Sequence, residues 1–160
     1  MYKHILGIDP GIADTGYGII RVYDDNRIES LEYGSIQTKA KQPLESRLML
    51  LYKGLNEIIE KYQPDVMAVE ELFFNKNTST ALIVGHARGV ILLAGSLSKI
   101  DILHYTPGQV KQAVSAFGQA KKGQVQKMVK LLLGLKEIPR PDDAADALAV
   151  AICASSVIKF

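Results

Sequence analysis

Four acidic residues stand at positions where their side chains could share one metal site. Asp9 ends the first hydrophobic run of the chain, directly before a glycine-rich turn, and Glu70 ends a later apolar run. Asp143 and Asp146 open the last helical segment, and residues three apart on a helix lie on one face. Hard divalent cations prefer oxygen ligands such as these carboxylates. The spacing therefore predicts a metal site suited to phosphate chemistry.

Two magnesium ions about 3.5–4 Å apart can activate a water and stabilise the leaving oxygen in phosphodiester cleavage. Three or four converging carboxylates would meet this requirement. An acid near a helix start is often only a cap or a dipole partner, and this reading stays open for Asp142 and Asp143. Asp146 stands among small and apolar neighbours, which favours a functional role. Strand alternation separates Glu70 from the adjacent Glu71, and we favour Glu70.

Length and composition indicate an ordinary globular protein. The chain has 160 residues, 48% of them hydrophobic, and we expect one domain over residues 1–160. A net charge of +2 is too small to indicate nucleic-acid binding, although an acidic pocket can cancel a basic face in the sum. The single Cys153 cannot form an internal disulfide. We find no apolar run of membrane-spanning length and no signal peptide, and expect a cytoplasmic protein without membrane contact.

Hydrophobic periodicity predicts an α/β architecture. Strands are expected over residues 4–9, 15–23, 27–38, 66–70 and 100–105. Helices are expected after Pro43, over 78–98, 107–117 and 123–133, and from about residue 141 onward. Three antiparallel strands followed by αβ units imply a mixed five-stranded sheet flanked by helices. Small residues in the segment 78–98 allow close backbone approach, by the sheet rather than by a partner subunit.

In a set of ordered motifs the chain resembles the RuvC-type Holliday-junction resolvases. These motifs are Ile8-Asp9-Pro10-Gly11 with Thr15-Gly16-Tyr17-Gly18, Ala68-Val69-Glu70 leading into Phe73 and Asn75-Lys76-Asn77, Ala87-Arg88-Gly89, Gln109-Val110-Lys111-Gln112, and Asp143-Ala144-Ala145-Asp146-Ala147-Leu148-Ala149. The likeness runs in order from about residue 4 to residue 152, which is nearly the whole chain.

The resemblance implies a ribonuclease-H-like fold, a homodimer, and nicking of two like-polarity strands of a four-way DNA junction during recombination and repair. It implies that the nicking depends on Mg²⁺. Our hypothesis for the mechanism is a hydrolysis with two Mg²⁺ ions per active site, for which Mn²⁺ could substitute, giving products with 5′-phosphate and 3′-hydroxyl ends. The resemblance also implies partnership with the RuvA–RuvB branch-migration complex. In that family the catalytic and metal-binding acids fall on Asp9, Glu70, Asp143 and Asp146 of this chain. Some members carry histidine in place of the third acid; this chain has aspartate.

The resemblance also places DNA-contacting groups on this chain. Lys111 and Lys122 resemble the family's functional lysines near the scissile phosphate, and the neighbouring Lys121 leaves the second assignment open by one position. Lys127 and Lys130 are the ordinary solvated lysines of a helix face. A basic cluster of this kind can neutralise DNA phosphates.

Aromatic and other basic residues extend this prediction. Phe73 is placed where an exposed ring can stack on a base or wedge a distorted step, and Phe74 is expected to pack inside. Arg88 is expected to contact the DNA backbone or hold the dimer, and the two roles stay open. Three histidines within regular elements are expected to be structural: His4, His86 and His104.

Two alternative functions remain. A nuclease of the same fold could act on another nucleic acid such as an RNA–DNA hybrid, although the aromatic pair and the lysine segment favour a junction. A non-enzymatic nucleotide-binding domain related to the actin-like ATPases would use a similar first hairpin. Those ATPases usually need two such domains, and this chain has no Walker A sequence. In a nucleotide-binding domain of that kind, Asp143 and Asp146 would have no role.

Overall fold

The computed structural model describes residues 1–72, 78–116 and 118–160, which contain five strands and five helices. The strands are β1 (Tyr2–Asp9), β2 (Asp14–Tyr23), β3 (Ile28–Gln37), β4 (Val66–Glu70) and β5 (Asp101–Tyr105). The helices are α1 (Leu44–Tyr62), α2 (Thr78–Leu97), α3 (Pro107–Ser115), α4 (Lys122–Leu132) and α5 (Asp142–Ser155). Every predicted element is present, with small shifts at the ends.

The strands form one mixed sheet in the order β3-β2-β1-β4-β5. The pairs β1–β2 and β2–β3 are antiparallel, whereas β1–β4 and β4–β5 are parallel. The carboxyl ends of β1, β4 and β5 therefore meet at one edge, where Asp9, Glu70 and Tyr105 end their strands. This topology confirms the predicted mixed sheet and brings the first two acids to the same edge.

Helix α5 lies against the centre of the sheet because glycines remove the side chains between them. A β-carbon placed on Gly7 would lie 2.1 Å from the carbonyl oxygen of Ala147, and one on Gly16 would lie 2.0 Å from that of Asp143. Such distances exclude any side chain at these two positions of β1 and β2. The alanine-rich α5 is therefore buried along most of its length. Its first turn lies over the last residues of β1 and the first residues of β2.

The core has two halves, one on each face of the sheet. On one face Ile5, Ile20 and Val22 pack against α3, α4 and α5. On the other face Leu6 and Ile8 pack against α1 and α2. Successive side chains of β1 point to opposite faces of the sheet, and helices cover both faces.

The small residues of α2 divide between two environments. Ala87 and Ala94 are buried against the sheet, and a β-carbon on Gly95 would lie 3.1 Å from Met67 and Ile102. At Gly85 and Gly89 a β-carbon would meet no other atom within 4 Å. The prediction that the small residues face the sheet therefore holds for one side of α2; the outer side is open.

Helix α2 corrects the expectation that no apolar run reaches membrane-spanning length. By length and composition alone, Thr78–Leu97 would pass as a membrane span, and within the described residues it is the one helix that does so. Only 22% of its most apolar window is buried within the chain. Leu82, Leu93 and Leu97 are each more than half exposed. The apolar character of α2 thus belongs largely to its outer face.

Candidate active site

Three acids from two distant parts of the chain meet at the carboxyl edge of the sheet. Asp9 is the last residue of β1, and Asp143 and Asp146 lie in the first two turns of α5 above it. One carboxylate oxygen from each of these three residues lies within 4.8 Å of the others. We call this group with Glu70 the acidic cluster. The predicted convergence of helix and strand acids is therefore present in the geometry.

Glu70 joins the acidic cluster through Asp9. It ends β4 beside β1, and a side-chain hydrogen bond joins the two acids. Burial and the charge of Asp146 raise the pKa of Glu70, and the hydrogen bond with Asp9 offsets only part of that rise. Among the described residues, the group within 4.8 Å contains Asp143 and Asp146 but not Glu70. Asp9 therefore interacts with all three of the other acids, and Glu70 also lies close enough to Asp146 for the two charges to repel.

The cluster concentrates negative charge where little water reaches it. Burial, and then the charges of Glu70, Asp146 and Asp143, raise the pKa of Asp9 to about 9. Burial also raises the pKa of Glu70 and of Asp146. Ionised carboxylates this close repel one another, and a bound cation would relieve that repulsion. Because all the donors are carboxylate oxygens that repel one another, the cluster fits a hard divalent cation.

Lys122 lies directly beside the cluster. Its Nζ is 3.3 Å from Oδ2 of Asp146 and 3.5 Å from Oδ2 of Asp142. Partial burial lowers the pKa of Lys122, but the charges of Asp146 and Asp142 outweigh it and the net shift is upward. The ammonium is therefore fully charged at neutral pH and faces the acids.

A small cavity of about 230 Å³ opens between the acids and two lysines. Glu70 and Asp146 line it on the acidic side, and Lys111 and Lys122 line it on the basic side. The charges of both lysines lower the pKa of Glu70. A space of this size, with ammonium groups facing carboxylates, suits a phosphodiester group together with cations.

The start of α3 holds Lys111 in place. The Gln109 backbone N–H donates to Oγ1 of Thr106 over 3.1 Å, and the Thr106 backbone N–H donates to Oε1 of Gln109 over 2.8 Å. This reciprocal capping box fixes the first turn of α3. Lys111, in the next turn, is thereby directed at the cavity.

Lys121 and Lys122 occupy different environments although they are adjacent. Lys121 caps α4, where its backbone N–H donates to Oε1 of Gln124 over 2.9 Å, and it is exposed. Lys122, the first residue of α4, carries the contact with the acids. Of the two positions that the sequence left open, the geometry favours Lys122 as the group nearest the cluster.

The remaining predicted DNA contacts lie outside the acidic cluster or outside the described residues. Nη2 of Arg88 lies 2.7 Å from Nδ1 of His104, so α2 is tied to β5 at this point. Phe73 and Phe74 fall within residues 73–77, outside the part of the chain that the structure describes. Their predicted roles stay predictions.

The contacts of Asp142 and the role of the sheet glycines are not predicted by the sequence. As a helix cap or dipole partner Asp142 would need no cation, yet it contacts both Lys122 and Arg140. Its spacing of four residues from Asp146, which puts both on one helix face, was the available signal. For Gly7 and Gly16 the signal was weaker, because their role depends on the distant α5.

Comparison with known proteins identifies the family. The sequence profile of the crossover junction endodeoxyribonuclease RuvC matches residues 5–154. The chain belongs to this family. A crossover junction endodeoxyribonuclease RuvC from Desulforamulus reducens is 62% identical over 149 residues, which cover 93% of this chain and 91% of the relative. The prediction of a phosphodiester-hydrolysing endonuclease is thereby confirmed at the level of the family.

Solved structures agree with this assignment. A structure of Thermus thermophilus RuvC superposes on this chain with a TM-score of 0.86 and 36% sequence identity. The match covers 94% of this chain and 92% of the Thermus thermophilus chain. A structure of the same protein in complex with Holliday junction substrate has a TM-score of 0.89 at the same identity and coverage. The predicted ribonuclease-H-like fold is confirmed. RuvC nucleases depend on a metal ion, and the acidic cluster of this chain offers the oxygen ligands.

Proposed function

We propose that this chain resolves four-way DNA junctions by paired symmetric nicks in two strands of like polarity. The observation that carries the proposal is the convergence of Asp9, Asp143 and Asp146 at the sheet edge, with Lys122 beside them. The substrate is inferred from the relative solved with a Holliday junction, which is 36% identical to this chain. Cleavage would leave 5′-phosphate and 3′-hydroxyl ends that a ligase can seal.

The acidic cluster would hold the metal. Asp9 interacts with all three of the other acids, so it would help to hold both ions, and Glu70, Asp143 and Asp146 would complete the donor set. Mg²⁺ is the proposed metal, with Mn²⁺ as substitute, because all the donors are carboxylate oxygens. When bound, such ions supply Lewis-acid stabilisation of the phosphate and lower the pKa of a water.

The side chains around the cavity have separable tasks in hydrolysis. Ionised carboxylates of the cluster accept hydrogen bonds from the attacking water and orient it toward phosphorus. The water oxygen bonds to phosphorus while the bond from phosphorus to the 3′ oxygen breaks, and a proton ends on that oxygen. Lys122 and Lys111 donate hydrogen bonds to the phosphate oxygens, where negative charge develops. Lys122 begins charged and needs no proton from solvent.

DNA beyond the scissile phosphate would be held by the other predicted groups. Lys121 is exposed one residue before Lys122 and can reach a neighbouring phosphate. Phe73 is proposed to stack at the junction, on the strength of the family resemblance alone. For Arg88 both predicted roles are kept, a DNA backbone contact or a dimer contact, since its bond to His104 leaves its remaining donors to either.

We also propose that the enzyme is a homodimer through the outer face of α2. Leu48 of α1 with Leu82, His86 and Leu93 of α2 are among the residues that line an apolar groove of about 680 Å³ on this side. A face this apolar on one protein commonly marks an interaction site. A second copy fits because Gly85 and Gly89 let another helix approach the backbone. Two paired nicks also require two active sites.

In the cell the proposed setting is the bacterial cytoplasm, where junction DNA forms, together with the RuvA–RuvB branch-migration complex. The family resemblance supports both parts of this proposal. Adding RuvA and RuvB to a cleavage reaction on a mobile junction should change the rate or the cutting position. An unchanged reaction would contradict the partnership without touching the nuclease assignment.

The decisive experiment is incubation with a synthetic four-way junction, with and without Mg²⁺, beside linear duplex and an RNA–DNA hybrid of the same sequence. We expect Mg²⁺-dependent paired nicks on the junction, and ends that ligase reseals. The matched control is Asp146→Asn, which should bind the junction without cutting it. Equal cutting of the hybrid would support the alternative nuclease, and absence of nicking on every substrate would contradict the proposal.

A further inference from the structure

Asp142 is an acid beside the cluster for which the proposed mechanism has no task. It is the first residue of α5, and its Oδ2 lies 3.5 Å from Nζ of Lys122. The same Nζ lies 3.3 Å from Asp146, one helical turn further along α5. Lys122 is therefore shared between two carboxylates of one helix face, only one of which belongs to the acidic cluster.

Asp142 is held in position by a second cation, Arg140. Nη1 of Arg140 donates to its other oxygen, Oδ1. The carboxylate is thus placed between two cations, the Lys122 ammonium and the Arg140 guanidinium.

The energetics favour exchange of the lysine between its two partners. The side chains of Lys122 and Asp142 are about half exposed, at 55% and 46%, and such ion pairs contribute little individually. The distances to Asp142 and Asp146 differ by only 0.2 Å. Asp142 therefore offers the ammonium a second partner at nearly the same distance as Asp146. A lysine with Asp146 as its only partner would instead compete with any cation for that carboxylate.

We propose that Asp142 is a positioning residue for Lys122. It provides the ammonium with a second carboxylate, so that Asp146 is released to a cation while Lys122 stays at the edge of the cavity, within reach of the phosphate. This inference rests on the proposed metal-dependent nuclease function and adds a residue to it. The acids of the cluster would bind the cation, and Asp142 would act only through Lys122.

A double-mutant cycle on cation binding tests the proposal without any cleavage. Mn²⁺ affinity is measured by titration calorimetry on the protein without DNA, for wild type, Asp142→Asn, Lys122→Met and the double variant. We expect Asp142→Asn to weaken Mn²⁺ binding by about two- to fivefold when Lys122 is present, the scale of one exposed ion pair. In the Lys122→Met background Asp142→Asn should not change Mn²⁺ affinity, because no lysine then competes with the cation for Asp146.

Other outcomes of the cycle overturn the proposal. An equal loss of affinity in both backgrounds would mean that Asp142 acts on the cation directly by its charge. No loss in either background, with only a lower melting temperature, would assign Asp142 to the helix N-terminus, where acids are stabilising. Failure of wild type to bind Mn²⁺ would overturn the proposed metal-dependent function and this inference together.

Turnover at saturating metal supplies a second readout. Asp142→Asn should lower kcat for the junction and leave KM unchanged, because Lys122 is then held less well beside the phosphate. Asp142→Glu, which keeps the charge, should restore most of kcat. A purely structural role would lower the melting temperature of Asp142→Asn and leave kcat of the folded protein unchanged.

Discussion

Gly16 pairs with Asp9 in the β1–β2 register, and Gly16 also packs against the backbone of Asp143 at the start of α5. A β-carbon on Gly16 would be 2.0 Å from the Asp143 carbonyl oxygen and 3.0 Å from its β-carbon. One residue of β2 thus sets how close the first turn of α5 comes to the end of β1. The distance between the helix acids and Asp9 depends on this contact.

Gly16→Ala should therefore disable the cluster without touching an acid. The new methyl group must push α5 away from the sheet, and overpacking of this kind costs about 1–3 kcal/mol. We expect strongly reduced Mg²⁺-dependent cleavage and a lower melting temperature, measured on the purified variant. Gly108→Ala is the matched control, since a β-carbon there meets its nearest atom only at 3.9 Å. Full activity of Gly16→Ala would contradict the packing argument.

Conservative amides at the acids should separate binding from cutting. Asp9→Asn, Glu70→Gln and Asp146→Asn keep side-chain shape but remove the charge that a cation requires. We expect no detectable nicking, with junction affinity within a few-fold of wild type in a gel-shift assay. If any of the three variants still cuts the junction, that residue is not a ligand.

The stability of the metal-free protein should fall as pH rises. The pKa of Asp9 is raised from 3.8 to about 9, so between these values the native state holds a proton that the unfolded chain has lost. Stability then decreases with pH across that window. Thermal unfolding in a chelator should show this trend between about pH 6 and 9, and Asp9→Asn should flatten it. A melting temperature that rises with pH in wild type alone would refute the assignment.

Added Mg²⁺ should stabilise the protein more at high pH than at low pH. A cation has to displace the proton of Asp9, so its affinity rises as that proton is lost. The increase in melting temperature follows the ratio of free metal to its dissociation constant. Calorimetry in two buffers of different ionisation enthalpy should reveal proton release on binding. Equal Mg²⁺ stabilisation at both ends of the pH range would contradict this coupling.

Lys122 and Lys121 form a matched pair for testing charge at the phosphate. Lys122→Met should lower single-turnover cleavage by about 10²-fold, the cost of removing one preorganised donor from developing charge. Lys121→Met should leave the cleavage rate near wild type and reduce the salt dependence of binding by about one phosphate contact. The reverse result would move the catalytic assignment to Lys121.

Leu93→Lys should separate the two subunits of the proposed dimer. Leu93 is 53% exposed on the apolar outer face of α2, and a charge there cannot be buried against a second copy. Light scattering should report a monomer, and junction nicks should become unpaired. Leu131→Lys on α4, where the leucine is 69% exposed away from this face, is the control and should stay dimeric. An unchanged dimer in Leu93→Lys would exclude the α2 face.

Local patterns predicted the elements and the edge at which the acids lie. Asp9 and Glu70 each follow an apolar run, and strand ends can be read from such runs because burial and periodicity are local properties. The open side of α2 was missed for the opposite reason. Gly85 and Ala87 are both small residues of one apolar segment, so the sequence does not distinguish them. In the folded chain Ala87 is buried against the sheet, whereas Gly85 lies on the open side of α2.

The sequence alone determined the family and the sheet and predicted the four acids, since these depend on residue types in a particular order along the chain. Tertiary structure decided the rest. The contact of Lys122 with the acids, the partners of Asp142, and a pKa of about 9 at Asp9 all depend on distances between α4, α5 and β1. Electrostatic interactions vary with distance and burial, and segments far apart in sequence acquire both only when the chain folds.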